Sequence, residues 1–442
     1  MTKNTSDKGG RAVPSKRLSR LAGFGGMAAS IAGGMAASGA KQLASGKRPK
    51  ASDLFMTPSN ARKLTRQLSN MRGAAMKIGQ MISMDSGDFL PREFADILAR
   101  LRSDAQHMPR AQLNKVLKEQ WGESWQMKFA EFDYRPIAAA SIGQVHKAKL
   151  RGGDYVAIKV QYPGVKESID SDIKNVAGLL KMSGLVPSSL DIKPIIEEGR
   201  QQLHQEADYI REAAYLSRFG ELLAGDHNFY VPSYHADFST DKILTMSFSE
   251  SRPIEDMANA PQDVRDTIVQ RLMALTLREL FEFKVMQTDP NFANYRYDEK
   301  NDSLVLLDFG ASRDIDDALS ASYKKLMRTV LTGAAEDTFE AAVQMGLFPA
   351  HMKPKDKVVI LELINLAMEP LRHDGPFDFG QNALAIELRD KAMPLAKERD
   401  LWHVPPAHMV FTQRKLGGIY MLAVRLRARV NVRELMETYV GT

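Results

Sequence analysis

Residues 287–294 read Gln-Thr-Asp-Pro-Asn-Phe-Ala-Asn, and residues 304–310 read Leu-Val-Leu-Leu-Asp-Phe-Gly. Asp289 and Asn294 are five positions apart, and Asp308 follows fourteen positions after Asn294, at the end of a strand-like apolar run. The spacing Asp-x-x-x-x-Asn is that of the catalytic loop of protein kinases, which transfer a phosphoryl group. This transfer needs a carboxylate near the acceptor oxygen and hard oxygen ligands for Mg²⁺. We therefore expect Asp289 to lie near the acceptor, and Asn294 and Asp308 to bind the metal ion.

A second motif of the protein-kinase type lies upstream, where residues 156–159 read Val-Ala-Ile-Lys. Short apolar alternations on both sides of an Arg-Gly-Gly-Asp turn at residues 151–154 predict a β-hairpin. A lysine fixed on such a strand pairs with the α- and β-phosphates of ATP in protein kinases. Lys159 is the predicted phosphate-binding lysine.

The segment before this strand, residues 138–144, is rich in alanine where a kinase carries its glycine-rich phosphate loop. Small side chains permit close backbone approach, but each Cβ restricts the positive-φ conformations that glycine allows. We expect the nucleotide to be held differently by this loop. The predicted nucleotide-binding residues here are Ala138, Ala139, Ala140, Ser141, Ile142, Gly143 and Gln144.

An acidic cluster lies on a predicted helix that runs from about Ile195 to Gly220. Asp208 and Glu212 are four positions apart and should share a helix face. A kinase needs a helical glutamate to orient the strand lysine, and either Glu212 or Glu206 could supply it. Residues 161–194, between the lysine strand and this helix, are interpreted as an insertion.

The tripeptide Asp-Phe-Gly occurs twice, at residues 308–310 and 378–380. No Asp-x-x-x-x-Asn pattern like that of residues 289–294 lies between the two copies, and Gly375-Pro376 stands where a buried strand would be needed. We interpret Asp378 as a loop residue. The order and spacing of the motifs, rather than any one tripeptide, favour Asp308 as the metal ligand.

Composition and charge limit the class of protein. The 442 residues are 44% hydrophobic and 26% charged, as in soluble globular proteins, and the absence of cysteine excludes disulfides and thiolate chemistry. Residues 1–50 carry ten Lys or Arg against Asp7 alone, which favours an anionic membrane surface as the partner of this arm over nucleic acid. Within it, residues 21–40 contain no charge and repeat small residues every four positions, which suits a membrane segment or a helix pair.

These motifs together resemble the UbiB/AarF family of atypical kinase-like proteins, in particular its ubiquinone-biosynthesis branch. A further mark of that resemblance is Lys-Ile-Gly-Gln at residues 77–80, and the likeness runs from about residue 15 to the C-terminus. It implies an α+β, two-lobed protein-kinase-like fold with an N-terminal helical extension and a mostly helical C-lobe. The implied domains are a basic arm (1–50), a helical extension (51–130), an N-lobe (131–250) and a C-lobe (251–442).

The resemblance also implies roles for individual residues. Lys77 and Gln80 would belong to a lid over the active site. Lys77 would approach Glu206 and Asp208, and the lid would exclude protein substrates. Glu212 would be the partner of Lys159, with Asp289 the third catalytic residue. The hinge residues Phe248 and Glu250 would contact the nucleotide.

In function, the resemblance implies Mg²⁺-dependent binding and hydrolysis of ATP, or phosphotransfer to a small molecule, in support of ubiquinone (coenzyme Q) biosynthesis. Implied partners are membrane lipids or lipid-like quinone intermediates, coenzyme Q biosynthesis proteins and a second copy of the chain. The implied location is peripheral, on the cytoplasmic face of a bacterial inner membrane or the matrix face of a mitochondrial one.

Three alternatives remain open at this point. The chain could be a nucleotide-gated scaffold for a quinone-biosynthesis complex, whose output is a conformational change. It could be a protein kinase, which the Lys-Ile-Gly-Gln segment disfavours. An antibiotic-kinase type of phosphotransferase shares the loop spacing but leaves the helical extension unexplained.

Overall fold

The computed structural model describes residues 33–34, 73–75, 77–78, 107–183, 193–333, 335–381, 384, 386–388, 390–391 and 407–441. The basic arm and the apolar stretch 21–40 therefore lie outside the described residues apart from Gly33 and Gly34, and Gln80 lies outside them too. Within the part described, no helix is long and apolar enough to cross a membrane.

The chain divides into two compact units, residues 1–213 with 233–248, and residues 214–232 with 249–442. The division near residue 248 lies close to the predicted lobe boundary at 250. Residues 214–232, predicted in the N-lobe, instead belong to the second unit. The reason is that strand β5 (Phe229–Tyr230) pairs in parallel with a strand of that unit, β10 (Ser303–Leu306).

The first unit is built on an antiparallel sheet in the order β1-β3-β4-β6, with β2 pairing with β3. The predicted hairpin is confirmed as β3 and β4, which pair from Gly143 opposite Gln161 to Lys149 opposite Tyr155. β4 lies between β3 and β6, so its backbone is hydrogen-bonded on both sides and held rigidly. The strands are β1 (Phe129–Phe132), β2 (Ala138–Ala139), β3 (Gly143–Leu150), β4 (Tyr155–Gln161) and β6 (Ile243–Ser247).

One face of this sheet forms a core with helix α1 (Arg110–Trp121), which begins after Pro109 and ends at Gly122. Alternate residues of β3 are buried, as period-2 packing requires. Trp125 is fully buried and Phe129 is 4% exposed, and Trp121 packs against the same cluster.

Three helices follow β4, namely α2 (Val165–Ser183), α3 (Lys193–Glu206) and α4 (Tyr209–Leu222). The described part of the predicted insertion at 161–194 is thus mostly helical, and α2 packs against α3. The single helix predicted from Ile195 to Gly220 is wrong, because α3 and α4 are separate. Asp208 causes the break, since its carboxylate accepts a hydrogen bond from the Arg211 backbone N–H (3.0 Å) and so caps the start of α4.

The second unit is mostly helical, with short sheets in the orders β5-β10-β9-β7, β8-β11 and β12-β13. Its remaining strands are β7 (Arg252–Pro253), β8 (Val285–Gln287), β9 (Tyr295–Asp298), β11 (Ser312–Asp314), β12 (Phe377–Asp378) and β13 (Arg429–Val430). Its helices are α5 (Gln262–Arg278), α6 (Asp317–Thr332), α7 (Ala335–Gln344), α8 (Pro354–Ala367), α9 (Glu369–Arg372), α10 (Ala407–Leu426) and α11 (Val432–Val440).

The interpretation of Asp378 as a loop residue needs correction. It ends the two-residue strand β12, where it pairs with Arg429 of β13 in backbone register and through its carboxylate (3.2 Å). Phe379 is buried beside Phe377, which anchors this short strand. Asp378 is therefore a structural residue of the C-terminal helical region, away from any catalytic-loop sequence.

Candidate active site

The first set of candidate residues centres on the Lys159 ammonium in the first unit. Its Nζ lies 2.8 Å from Glu212 Oε1 and 2.9 Å from Oε2, and the two side chains are 9% and 1% exposed. The structure thus pairs the lysine with Glu212, one of the two glutamates that the residues alone left open. Lys159 lies on a rigid strand and Glu212 in the first turn of a capped helix, so the position of the ammonium group is fixed.

The other glutamate, Glu206, has a different partner. Lys77 Nζ lies 2.5 Å from Glu206 Oε1, and Ser141 Oγ donates to Oε2 at 2.5 Å. Backbone approach is close here, because a Cβ on Gly73 would lie 3.0 Å from the Ser141 carbonyl oxygen. The Lys77 helix piece, the alanine-rich loop and the end of α3 are therefore in direct contact.

The alanine-rich loop presents its two halves differently. Ala138 and Ala139 are exposed and pair with β3, and the Ala140 N–H donates to the Gly143 carbonyl (2.9 Å) to close a turn. Ile142, by contrast, is buried. The alanine half of the loop is therefore the part that solvent reaches.

The Gln144 side chain faces the core, not the open half of the loop. Its Oε1 accepts from the Met108 backbone N–H, and its Nε2 donates to His146 Nε2, both at 2.8 Å. His146 Nδ1 in turn donates to the Asp133 carbonyl oxygen (2.8 Å), which leaves Nε2 as the acceptor. Burial lowers the pKa of His146. Any contribution of Gln144 to a nucleotide must come from its backbone.

Of the two predicted hinge residues, Phe248 is half-buried and belongs to the first unit. The Phe248 backbone N–H donates to the Tyr155 carbonyl (2.9 Å), and Lys147 Nζ lies 4.1 Å from the centre of the Phe248 ring. Glu250 is exposed and belongs to the second unit.

The second set lies in the second unit, in the two loops that β8 and β10 lead into. Asp289 follows β8, Asn294 ends a short 3-10 helix, and Asp308 follows β10. Asn294 Nδ2 donates to the Asp289 carbonyl (3.4 Å), and the Leu307 N–H donates to the Asn294 carbonyl (3.1 Å). These bonds join the two loops, so the three predicted residues lie in one neighbourhood.

A further bond holds the same loops together, because Thr288 Oγ1 donates to the Ala311 carbonyl at 2.6 Å. The Asp308 carboxylate turns back to accept from the Gly310 N–H (3.0 Å), which fixes its direction. Phe309 is buried against Phe219, with ring centres 4.8 Å apart.

The donor set suits a magnesium ion. Asn294 and Asp308 offer hard oxygens from adjoining loops, and Mg²⁺ uses one or two protein oxygens while keeping water and substrate phosphates as its other ligands.

Sequence reasoning missed a buried group behind this neighbourhood, in which Lys415 of α10 contacts residues on both sides of the Asp289 loop. The pattern offered one indication, a Gly417-Gly418 pair within an otherwise helical stretch, since such glycines often mark a close approach by another segment.

A lysine–glutamate pair on strand and helix, a loop with Asp289 and Asn294, and an Asp-Phe-Gly after a buried strand define a kinase-like protein with an α+β fold. The model of the ABC1 atypical kinase-like domain matches residues 100–342. The chain is 38% identical over 427 residues to the atypical kinase COQ8, mitochondrial, of Saccharomyces cerevisiae, covering 96% of this chain and 85% of that protein. It is 37% identical to the atypical kinase COQ8B, mitochondrial, of Rattus norvegicus, covering 97% and 81%.

The chain therefore belongs to the ABC1 (UbiB) family of atypical kinases. Its fold is also that of Rv3197 from Mycobacterium tuberculosis, solved in complex with erythromycin, with a TM-score of 0.58 and 23% identity over 86% of this chain and 96% of that one.

Proposed function

We propose that this atypical kinase binds Mg²⁺ and ATP and hydrolyses the nucleotide, or transfers its phosphoryl group to a small molecule, in support of ubiquinone biosynthesis at a membrane. The observation that carries the proposal is the buried Lys159–Glu212 ion pair. A buried charge is costly unless it is paired, and a lysine held by both oxygens of a carboxylate is preorganised for a phosphate.

Each residue then has one task. Lys159 would bind the non-transferred phosphates, and Glu212 would hold the ammonium in place. Asp289 would accept a hydrogen bond from the acceptor hydroxyl or water and orient it. Asn294 and Asp308 would bind the metal ion, which neutralises developing phosphate charge when bound.

The proposed pathway, partners and location rest on the relatives. The yeast and rat relatives are named COQ8 and COQ8B and are mitochondrial. We take from them a role in coenzyme Q biosynthesis, with coenzyme Q proteins and membrane lipids or quinone intermediates as partners. The corresponding location is the matrix face of the inner mitochondrial membrane, or the cytoplasmic face of the inner membrane in a bacterium.

The Lys77–Glu206–Ser141 contact supports a small acceptor or water over a protein substrate. It ties a helical piece of the extension to the alanine-rich loop, which in a protein kinase must stay accessible to nucleotide and substrate.

The test is Mg²⁺-dependent phosphate release by the purified chain, with and without anionic liposomes. Asp308→Asn should abolish turnover, because it removes a charged metal ligand. Asp378→Asn is the matched control, since it alters the same tripeptide at a structural position, and it should leave turnover within about twofold of wild type.

Three outcomes would contradict the proposal. Equal turnover in wild type and Asp308→Asn would mean that the activity is not that of this site. A rise in melting temperature with Mg·ATP but no turnover would favour the nucleotide-gated scaffold. Robust phosphorylation of a protein by the wild type would favour the protein kinase.

A further inference from the structure

Lys415, on helix α10, is 1% exposed and has no place among the groups assigned above. Its Nζ lies 2.7 Å from Tyr295 Oη, 3.3 Å from Glu279 Oε2 and 3.4 Å from Gln287 Oε1. The Lys415 ammonium donates hydrogen bonds to Tyr295 and Gln287, and Glu279 lies at ion-pair distance from it.

Two of the three partners stand at opposite ends of the catalytic loop, defined here as residues 287–295. Gln287 lies two positions before Asp289, and Tyr295 directly follows Asn294. A single buried cation is thus bonded to the residues that begin and end the loop. Holding both ends at one point restricts the separation of Asp289 from Asn294.

The same face of α10 touches the middle of the loop. A Cβ placed on Gly418 would lie 2.3 Å from Pro290 Cβ, so only glycine permits this approach. Glycine inside a helix is unfavourable without such a reason. One turn before Lys415 on the same face, Phe411 lies under the Arg313 guanidinium of β11, 3.4 Å from the ring centre, and β11 pairs with β8.

The counter-charge comes from an irregular element. Glu279 begins a π-helical turn, Glu279–Phe283, at the end of α5, and π turns are frequent at functional sites. Glu279 is 1% exposed, and its Oε1 also accepts from the Gln287 backbone N–H at 3.4 Å. Burial alone would lower the pKa of Lys415, but the adjacent Glu279 and Tyr295 raise it. Burial raises the pKa of Glu279, and Lys415 opposes that effect.

We propose that Lys415 is a positioning residue for phosphoryl transfer, and that together with Glu279 and Gly418 it holds the catalytic loop in the geometry that Asp289 and Asn294 require. This inference rests on the proposed function of Asp289 and Asn294. Lys415 is buried and acts through the loop.

Removing Lys415 alone would leave Glu279 buried without a counter-charge and could unfold the chain. The test is therefore the double variant Lys415→Met with Glu279→Gln, which removes both charges with little change in volume. Misplacement of reacting groups by about 1 Å costs about 100-fold in rate. We expect kcat for phosphate release to fall by about that factor, with the KM for Mg·ATP changed less than about threefold, because Lys159 and Glu212 are untouched.

The matched control removes a neighbouring ion pair, Arg278–Asp226 (2.6 Å), whose arginine directly precedes Glu279 in sequence. Arg278→Met with Asp226→Asn should leave kcat within about twofold of wild type. A second pair of variants uses the two adjacent glycines. Gly418→Ala should lower kcat and Gly417→Ala should not, since a Cβ on Gly417 has nothing within 4 Å.

Hydrogen exchange of the catalytic loop separates this inference from the proposed function, because it needs no turnover. The amides of residues 287–295 should exchange at least about tenfold faster in the Lys415/Glu279 variant than in wild type or the Arg278/Asp226 control. Unchanged exchange would overturn the inference even in an active enzyme. Faster exchange with unchanged kcat would also overturn it. If the wild type shows no turnover but the variant exchanges faster, the anchoring of the loop by Lys415 is supported and the proposed function fails.

Discussion

Lys159 and Glu212 are 53 residues apart in sequence, and both charged groups are buried. Each charge is tolerated there because the other compensates it. Glu212→Gln keeps the size of the side chain and removes its charge, leaving the ammonium without a full partner. Breaking a buried pair in this way costs roughly 3–5 kcal/mol. We expect a lower melting temperature and the loss of the rise that Mg·ATP produces in the wild type, measured by differential scanning fluorimetry.

Glu197→Gln serves as the control for that measurement. Glu197 forms an ion pair of similar length with Arg200 (2.6 Å), but both side chains are exposed, so water screens the interaction. The control should melt close to wild type and keep its response to Mg·ATP. Equal behaviour of the two variants would argue against a preorganised phosphate-binding pair.

His146 makes folding stability depend on pH. Its folded-state pKa is lowered from 6.5, chiefly by burial, with His107 adding to the effect and Asp133 opposing it. Because the unfolded chain then binds more protons, stability should fall as the pH falls below about 6.5, by at most about 1.4 kcal/mol per pH unit for this group. Urea unfolding followed by tryptophan fluorescence at pH 7.5 and 5.5 measures this, since Trp125 lies in the same core.

The variant His146→Gln should be less stable than wild type at pH 7.5 but should lose this part of the pH dependence. His227→Gln, at an exposed position, should retain it. If the slopes of wild type and His146→Gln coincide, the pKa of His146 does not differ between the folded and unfolded states.

At the scale of elements, the hairpin depends on Gly143. A Cβ there would lie 2.4 Å from the Val160 carbonyl oxygen, which is backbone and cannot rotate away. Gly143→Ala should therefore force β3 from β4 and cost about 1–3 kcal/mol, as overpacking does. Equilibrium urea unfolding measures the loss, and the same shift should weaken nucleotide binding, because Lys159 lies two positions before Gln161, the partner of Gly143.

Gly152→Ala is the control in the same hairpin, at the turn, where a Cβ would meet nothing within 4 Å. Its effect should stay within about 0.5 kcal/mol, as for exposed sites without special contacts. A comparable loss in both variants would mean that flexibility of glycine, and not close packing, matters at residue 143.

Element boundaries show where sequence patterns were sufficient and where they were not. The hairpin and the strand before Asp308 follow from residues close in sequence. The break between α3 and α4 was missed because no Gly or Pro marks it, and it results from the capping carboxylate of Asp208.

At the scale of the whole chain, the basic arm predicts attraction to anionic membranes. Substituting Lys16, Arg17 and Arg20 with Gln should weaken binding to anionic vesicles by about 1 kcal/mol per charge, or roughly 100-fold in total, at low salt. Co-sedimentation with vesicles of anionic and of zwitterionic lipid measures it. Equal binding to both lipids, or no effect of the substitutions, would place the membrane contact elsewhere.

The two Asp-Phe-Gly copies show why position in the fold outweighs a motif. Asp308 and Asp378 make the same local turn, each accepting from the glycine N–H two positions on (3.0 and 2.9 Å). Asp308, however, lies beside the Asn294 loop, whereas Asp378 pairs with Arg429. Only the surroundings differ, and they decide which carboxylate can serve a metal ion.

The sequence by itself determined the family, the hairpin that carries Lys159 and the spacing of Asp289, Asn294 and Asp308, because these depend on residues near one another along the chain. The family resemblance already implied that Glu212 pairs with the lysine. Only the tertiary structure decided that Gln144 turns into the core and that Lys415 reaches a loop more than 100 residues upstream. The physical reason is that a buried charge or amide takes the partner that packing brings within hydrogen-bond distance, and that choice is not written in local spacing.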